Sequence, residues 1–396
     1  MKKILFIVPR PFYPPYYGYQ IRAFNISKTL VSKYDVDVLL ITEEKIVSTD
    51  TKILKKIFKH LIIFQKSKWR FFVNAIWGIF KNDPLQVSYY YFDDIQQWIN
   101  SHAKQYDIIF CSTLRTTKYV EKIIGPKKII DFIDAISLHY KIATDIRKNL
   151  LWKVIYFFES RRLLSYERKV INKFDLGFVS SQLDKDFIIQ GELKKLDDKL
   201  LVVPNGVNQN YLMDNQSLAE KNWLVFLGKM NYPPNEDAVI YFSKNIFPIL
   251  KNRLKNLEFL IVGIKPSKKV LKLNNIPGVK VLGFVPDPSL YLKQAKLIVV
   301  PLRFGGGIQN KVLEPMALGK VIISTPFGVR WLEGKDGIHF LVAQNDQDFI
   351  QKILDLLNNQ EKRIRIGHNA RKLIFQKYTW QIIGRQLLSY IERLFD

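Results

Sequence analysis

Short apolar runs rich in β-branched residues recur along the chain, separated by longer stretches in which apolar positions return every three or four residues. In the first half these runs are Lys3–Val8, Val36–Ile41, Ile108–Cys111, Lys128–Phe132, Leu176–Val179 and Leu200–Val203. In the second half they are Trp223–Leu227, Leu257–Val262, Val279–Leu282, Leu297–Val300 and Val321–Ser324. Several are continuously apolar rather than alternating, the pattern of parallel strands buried on both faces. Helical periodicity lies between them, as over Arg22–Lys33, Ala238–Leu250 and Phe349–Asn358. Alternating strands and helices of this kind build right-handed crossovers and doubly wound α/β sheets. The strands are too many for one ordinary sheet, so two domains are expected. The periodicity breaks at Val203-Pro204-Asn205-Gly206-Val207-Asn208, a turn-rich segment that separates residues 1–203 from 204–377. The periodic segment Tyr378–Phe395 is expected to form a last helix, within 378–396, returning to the first domain.

Composition narrows the function classes. The 396 residues are enough for two domains of roughly 100–200 residues each. A 47% hydrophobic and 13% aromatic content excludes intrinsic disorder. The formal charge is +25, with 34 basic and 21 acidic residues in 1–200 and 27 and 15 in 201–396. The excess therefore belongs to the folded body, and it suits nucleic acid, an anionic membrane or an anionic substrate. A single cysteine, Cys111, excludes a disulfide framework and a cysteine-based zinc site and fits a reducing compartment. The apolar run Ile4–Val8 is shorter than the roughly 7–15 residues of a signal core or the about 20 of a spanning helix. A soluble or peripheral cytoplasmic protein is expected.

The most informative stretch follows the strand Leu297–Val300. It reads Pro301-Leu302-Arg303-Phe304-Gly305-Gly306-Gly307-Ile308-Gln309-Asn310-Lys311-Val312-Leu313-Glu314-Pro315-Met316-Ala317-Leu318-Gly319. Ligands of open α/β sheets bind beyond the carboxyl ends of the strands. Three glycines let backbone amides approach closely, and a helix starting near Gln309 aims its N–H groups and positive dipole end at the same place. With Arg303 and Lys311 added, a diphosphate suits the site. Glu314 is placed either to accept hydrogen bonds from ribose hydroxyls or to pair with Lys311 at i,i+3.

The run Gly307–Ala317 resembles the donor-site signature of retaining GT-B glycosyltransferases of family GT4. Pro11–Gly18 with Ile21-Arg22 resembles that family's first glycine loop and helix, and Pro204-Asn205-Gly206-Val207 its domain junction. Phe226–Asn235 and Ile261-Val262-Gly263 resemble the start of its C-terminal domain. Asp131-Phe132-Ile133-Asp134-Ala135, with a later helix from Glu159 to Glu167, is similar to a subgroup of sugar transferases of bacterial exopolysaccharide and exosortase loci. The resemblance implies a GT-B architecture, two Rossmann-like doubly wound domains facing each other across a cleft. It implies transfer of a sugar from a nucleotide-sugar to a lipid-linked or saccharide acceptor hydroxyl with retention, without a metal cofactor. Fixed cations then stabilise the leaving diphosphate: Lys229 and Lys311 are the candidates. Gly18, Arg303, Gly305, Gly306, Gly307, Ile308, Gln309 and Asn310 would hold the donor and Glu314 its ribose. Many members carry two glutamates eight positions apart, and Gly306 stands in place of the first, so the resemblance does not carry the sugar's identity. Lys229 replaces an arginine and loses bidentate geometry. Gly18-Tyr19 replaces a double glycine.

On the acceptor side, Asp134 follows the strand Lys128–Phe132 and either orients the acceptor hydroxyl, acts as a weak base or is a turn residue. Arg22, Arg115 and His139 are further candidates for an acceptor or cleft role. The stretch Thr51–Lys81 holds eight lysines and arginines and no carboxylate. Its basic and aromatic residues along helical stretches suit an anionic membrane surface, with Lys55, Lys56, Lys59, Trp69 and Arg70 as contacts at the inner face of the cell membrane; the alternative is an ordinary helix with aromatics in the core and lysines in water. No nucleic-acid-binding motif is present, and a basic nucleic-acid binder or another GT-B chemistry such as sugar-nucleotide epimerisation are the remaining alternatives.

Overall fold

The computed structural model describes residues 1–16, 18–80, 83–146, 150–190, 196–208, 211, 218–305 and 310–396. Its two units are Met1–Pro204 with Gly384–Asp396, and Asn205–Ile383; the boundary falls inside the segment where the sequence loses its periodicity.

The first unit is built on seven parallel strands: β1 (Lys3–Val8), β2 (Asp35–Thr42), β3 (His60–Gln65), β4 (Ile108–Ser112), β5 (Lys127–Ile133), β6 (Leu176–Val179) and β7 (Leu200–Val202). Their order is β3-β2-β1-β4-β5-β6-β7. The continuously apolar runs occupy the sheet's centre: Ile4–Val8 are fully buried, as are Ile108–Cys111. The second unit has six strands, β8 (Lys221–Leu227), β9 (Glu258–Val262), β10 (Val279–Gly283), β11 (Ala295–Val300), β12 (Ile322–Ser324) and β13 (Leu341–Val342), in the order β10-β9-β8-β11-β12-β13. All pair in parallel.

Two strands are absent from the sequence reading, β3 and β13, and both lie at sheet edges. For β3 this corrects the reading of Thr51–Lys81 as helical. The segment is a helix (Ser48–Ile57), then β3, then a second helix (Lys68–Phe80). Ile62, Ile63 and Phe64 pair with Leu39, Leu40 and Ile41 of β2, where their branched and aromatic side chains fit a half-covered sheet face. Lys55 and Lys56 are exposed on the first helix, whose buried residue is Leu54. Lys59 is bound to Asp35 at 2.8 Å, while Trp69 and Arg70 are exposed on the second helix. The helix expected over Ala238–Leu250 contains a π turn, Phe242–Ile246, between Pro233–Tyr241 and Phe247–Arg253. Pro248 follows it and has no N–H to give to a carbonyl four residues back, which relaxes the ladder there.

In the first unit Gly384 of the helix Trp380–Glu392 sits against Thr29, where a Cβ would stand 2.8 Å from Oγ1. Leu387 and Ile391 are buried, Tyr390 stacks on Phe178 at 6.4 Å, and Glu392 pairs with Lys33. Among the described residues no helix is long and apolar enough to cross a membrane.

Arg22, from the helix Gly18–Val31, is fully buried, which corrects its expected place beside a ligand. Its Nε and Nη2 donate to Asp131 at 2.8 and 2.7 Å, and Nη1 donates to the Val203 carbonyl at 2.8 Å. One guanidinium thus joins the first helix, β5 and the chain beyond β7. Removing one member of a buried pair leaves the other charge uncompensated, at a cost of roughly 3–5 kcal/mol. Asp131→Asn should therefore lower the stability of the first unit by about that amount in urea unfolding. An unchanged midpoint would show that the pair is not the anchor described here.

Candidate active site

The strand order of the second unit puts β8 between β9 and β11, so successive crossovers turn in opposite directions there. Such a switch point leaves a crevice outside the carboxyl ends of the strands. Gly228 and Lys229 leave β8 at this edge, and Gly263 leaves β9. Gly263 has φ +147°, and a Cβ on it would lie 1.7 Å from the Gly228 carbonyl oxygen. Only glycine permits that backbone-on-backbone approach. Gly228 N–H donates to the Val262 carbonyl at 3.0 Å, fixing the turn that presents Lys229, which is exposed.

From β11 the chain runs through Arg303 and Gly305 into the helix Asn310–Ala317. Lys311, in its first turn, is 7% exposed. Its ammonium donates to Asn235 Oδ1 and lies 5.2 Å from the Phe226 ring centre. Asn235, itself buried, donates through Nδ2 to the Lys229 carbonyl at 3.0 Å. One amide thus couples the β8 turn to the β11 helix. Burial pushes the Lys311 ammonium down to about 7. Glu314 lies one turn on, partly buried, and Tyr211 Oη donates to its Oε2 at 3.4 Å. Burial pushes this carboxyl up to about 7. Lys311 and Glu314 bond to Asn235 and Tyr211 and not to each other, which removes the simple i,i+3 ion pair.

Arg303 is held by Asp237 through Nε at 2.9 Å and Nη2 at 2.5 Å, over the Tyr241 ring. It is therefore a paired cation at the rim rather than an uncommitted one. Asn310 opens the helix and accepts from Asn205 Nδ2 at 3.4 Å. Gly306, Gly307, Ile308 and Gln309 lie outside the described residues.

The first unit has its own switch point, between β1 and β4. Gly18 begins its helix in the open, with nothing within 4 Å of a Cβ position. Thr113 and Ile133, at the carboxyl ends of β4 and β5, have φ +78° and +70°. Positive φ on a β-branched residue is a strained conformation that persists only where its surroundings enforce it. The enforcing contacts are present. Thr113 N–H donates to the Asp131 carbonyl at 2.8 Å and Ile133 N–H to Asp131 Oδ1 at 3.2 Å. Ala135 N–H donates to Asp184 Oδ1 at 3.0 Å, Ser137 N–H to Glu167 Oε1 at 3.2 Å and Ser180 Oγ to Asp134 Oδ1 at 2.8 Å. Asp134 thus sits in a turn clamped on either side by buried carboxylates.

Burial raises the Glu167 carboxyl to about 7 and, with the Asp134 charge second, raises that of Asp184. His139 follows one turn along the helix Ile136–Ile146, and its Nε2 is buried with no hydrogen-bond partner among the described residues. Arg115 donates to Gln86 Oε1 at 3.0 and 2.7 Å, and Gln86 Nε2 donates to Tyr140 Oη at 2.8 Å. No group of three or more His, Cys, Asp or Glu among the described residues could hold a metal ion. Asn235, Tyr211, Asp184 and Gln86 are site residues that the sequence reading did not single out. Each acts through a partner distant in sequence, and periodicity carries no signal for that.

Two parallel Rossmann-like sheets of these strand orders make up the GT-B fold. Residues 221–359 match the sequence model of the glycosyl transferases group 1 family, and the protein is a glycosyltransferase of that fold. An uncharacterised 44.6 kDa protein of the cps region of Klebsiella pneumoniae is 22% identical over 396 residues, 96% of this chain and 97% of that one. The capsular polysaccharide biosynthesis glycosyltransferase CapM of Staphylococcus aureus is 27% identical over 238 residues, 54% of this chain and 60% of its own. The crystal structure of HepE from Anabaena, in complex with UDP and glucose, aligns over 99% of this chain and 100% of its own with TM-score 0.68 at 15% identity.

Glu167 supplies a pH test of the clamp. Burial raises its carboxyl to about 7, above the 4.5 of an ordinary glutamate, so the folded form binds the proton more tightly. The resulting stability is complete below the unfolded value and is lost as pH rises through about 7. Glu167→Gln keeps an acceptor for Ser137 N–H but cannot titrate. Melting temperatures of wild type and variant, compared from pH 4 to 8, should therefore show wild type losing ground as pH rises. A difference constant with pH would refute the assignment.

Proposed function

We propose that the protein transfers a sugar, with retention, from a nucleoside-diphosphate sugar to the hydroxyl of a saccharide or lipid-linked acceptor in bacterial surface polysaccharide or glycoconjugate synthesis, working in the cytoplasm at the inner face of the cell membrane. The observation that carries the reading is Lys311, a buried ammonium with an amide and a ring for neighbours and no carboxylate counter-ion among its described contacts. A cation held in that way is costly until an anion arrives, and a diphosphate at the adjoining helix start is such an anion. The relatives support the biological setting: CapM is a capsular polysaccharide biosynthesis glycosyltransferase and HepE was crystallised with UDP and glucose.

In the proposed reaction the bond from the anomeric carbon to the diphosphate oxygen breaks as the acceptor oxygen bonds to the same face of that carbon. The acceptor's proton passes to the departing diphosphate. Lys311 and Lys229 stabilise the charge that grows on the leaving group, a role for fixed cations in a preorganised site. Glu314, as carboxylate, accepts from the ribose hydroxyls. Asp134 in its clamped turn, with His139 and Arg115 on the same edge of the first unit, is assigned to the acceptor.

The protonation states make this testable. Donor binding needs Lys311 charged and Glu314 ionised, and both groups titrate near 7 in the free protein. A thermal-shift screen over UDP-, GDP-, ADP- and CMP-sugars identifies the donor, since a ligand that binds the native state stabilises it by mass action. Affinity for that donor, whose phosphodiesters do not titrate in this range, should peak near pH 7. Lys311→Met should flatten the alkaline limb and Glu314→Gln the acid limb. Glu314→Ala should weaken binding roughly 10- to 100-fold, the loss of hydrogen bonds to a charged group. Stabilisation by none of the four donor classes, or a pH profile untouched by both substitutions, would sink the reading.

A further inference from the structure

Ten of the large apolar side chains exposed on the first unit lie on only two helices, Lys68–Phe80 and Leu150–Lys173. On the first, Trp69 is 65%, Phe72 53%, Ile76 58% and Trp77 61% exposed. These positions recur at helical spacing and form one stripe. The inward side of the same helix is marked by Phe71, fully buried and packed on Tyr90 and Phe92. The stripe is therefore the outer face of a helix already anchored by its opposite face. On the second helix Phe157 and Phe158 are 41% and 60% exposed.

The two stripes adjoin. Arg162 lies one turn beyond Phe158 and donates to the carbonyls of Gly78 at 3.2 Å and Asp83 at 2.8 Å. Glu159 accepts from Leu85 N–H at 2.6 Å. Gly78 itself is pressed on Ser88, where a Cβ would lie 2.3 Å from Oγ. The end of the first helix is thus fastened to the second, a turn away from its exposed phenylalanines.

The exposed charges carried by the two helices themselves have one sign. Lys68, Arg70, Lys153 and Arg161 are exposed on the two helices. The first helix carries no carboxylate, and both glutamates of the second, Glu159 and Glu167, are buried. Asp83, just past the first helix, is taken up by Lys118. Arg161 lies over the Phe157 ring at 4.2 Å and Lys68 over Phe72 at 5.9 Å, so the cations sit at the shoulders of the rings rather than apart from them. Exposed apolar patches mark protein or membrane contacts. Tryptophan and phenylalanine flanked by lysine and arginine, with carboxylates withdrawn, select the second. Such a face enters the headgroup region by roughly 5–10 Å and is drawn there by anionic lipid.

We infer that this paired-helix face is the surface by which the protein docks on an anionic lipid bilayer. It keeps Trp69 and Arg70 of the sequence expectation, while Lys55, Lys56 and Lys59 belong to a different helix and to the β3 edge. The surface stands independently of the donor site and is tested independently of it.

The test is co-sedimentation of the full chain with vesicles of phosphatidylglycerol and, separately, of phosphatidylcholine. Wild type should partition onto the anionic vesicles, with brominated lipid quenching its tryptophan fluorescence, and only weakly onto the zwitterionic ones. Phe72→Ser with Ile76→Ser and Trp77→Ser should reduce partitioning at least tenfold. Lys68→Glu with Arg161→Glu, which leaves every apolar side chain of the stripe in place, should reduce it similarly and add no further loss at high salt. Lys55→Glu with Lys56→Glu should change it by less than threefold. Phe158→Ser, alone on the second helix, provides a reading if the triple variant fails to fold. Wild type left in the supernatant, equal binding by the stripe variants, or a concentration-dependent dimer abolished by Ile76→Ser would each overturn the proposal. Donor-induced thermal stabilisation, measured on the same variants, separates a failure of this surface from a failure of the donor site.

Discussion

The arrangement of the first unit depends on one buried ion pair. Arg22 and Asp131 have almost no exposure, and taking two charges out of water is expensive unless geometry and further hydrogen bonds compensate. Here the guanidinium forks onto both carboxylate oxygens and uses another nitrogen on the Val203 carbonyl. The carboxylate also accepts from Ile133 N–H, and the Asp131 carbonyl accepts from Thr113 N–H. The two strained residues of the carboxyl edge are thus the residues that lean on this aspartate. A pair that looks like a stability device is better understood as the support for an unusual backbone. Its carboxylate holds the Ile133 N–H while the backbone carbonyl of the same aspartate holds that of Thr113, so both strand ends are fixed at Asp131, and Asp134 follows in the turn so formed.

The second unit inverts that logic. Lys311 is buried as Arg22 is, yet its partner is the neutral Asn235, and an amide oxygen does not neutralise an ammonium. Burial therefore acts on its proton instead, drawing the group toward neutrality, while the same burial drives Glu314 the other way. Two groups of opposite type with nearly equal proton affinity, one turn apart and not paired, form a site whose charge state a ligand can set. The first unit's pair is complete, and the second unit's two buried groups are not matched to each other.

Much of this was legible in the residues and part was not, for physical reasons. The central strands were, because a strand buried on both faces must be apolar at every position, and Ile4–Val8 or Ile298–Val300 allow few other readings. Edge strands were not: β3 mixes His60 and Gln65 with half-exposed isoleucines, a pattern shared by amphipathic helices. The placement of Lys311 and Glu314 at the start of a helix was legible from their position after a strand and a glycine run. Their lack of mutual pairing was not, because that depends on where Asn235 and Tyr211 arrive from elsewhere in the chain. Arg22 shows the converse case. Its position at the start of the first helix suggested a ligand, but its true partner is 109 residues away, and local spacing cannot reveal that.

The net charge of +25 therefore has no single meaning. A cation's role follows from what surrounds it rather than from its count. Arg22, enclosed and matched, is structural. Arg303, exposed at the rim and forked onto Asp237, is already committed. Lys311, equally enclosed, meets an amide oxygen and a ring where Arg22 meets a carboxylate. Lys68 and Arg161, in water beside aromatic rings, have no carboxylate on the outer faces of their helices to oppose them. Because burial strengthens an electrostatic interaction and water screens it, the first and third of these settings account for little of the total charge and for most of the specificity. The exposed remainder acts collectively, through its field, and a field of one sign confined to one apolar face suits a broad anionic surface better than any single ligand.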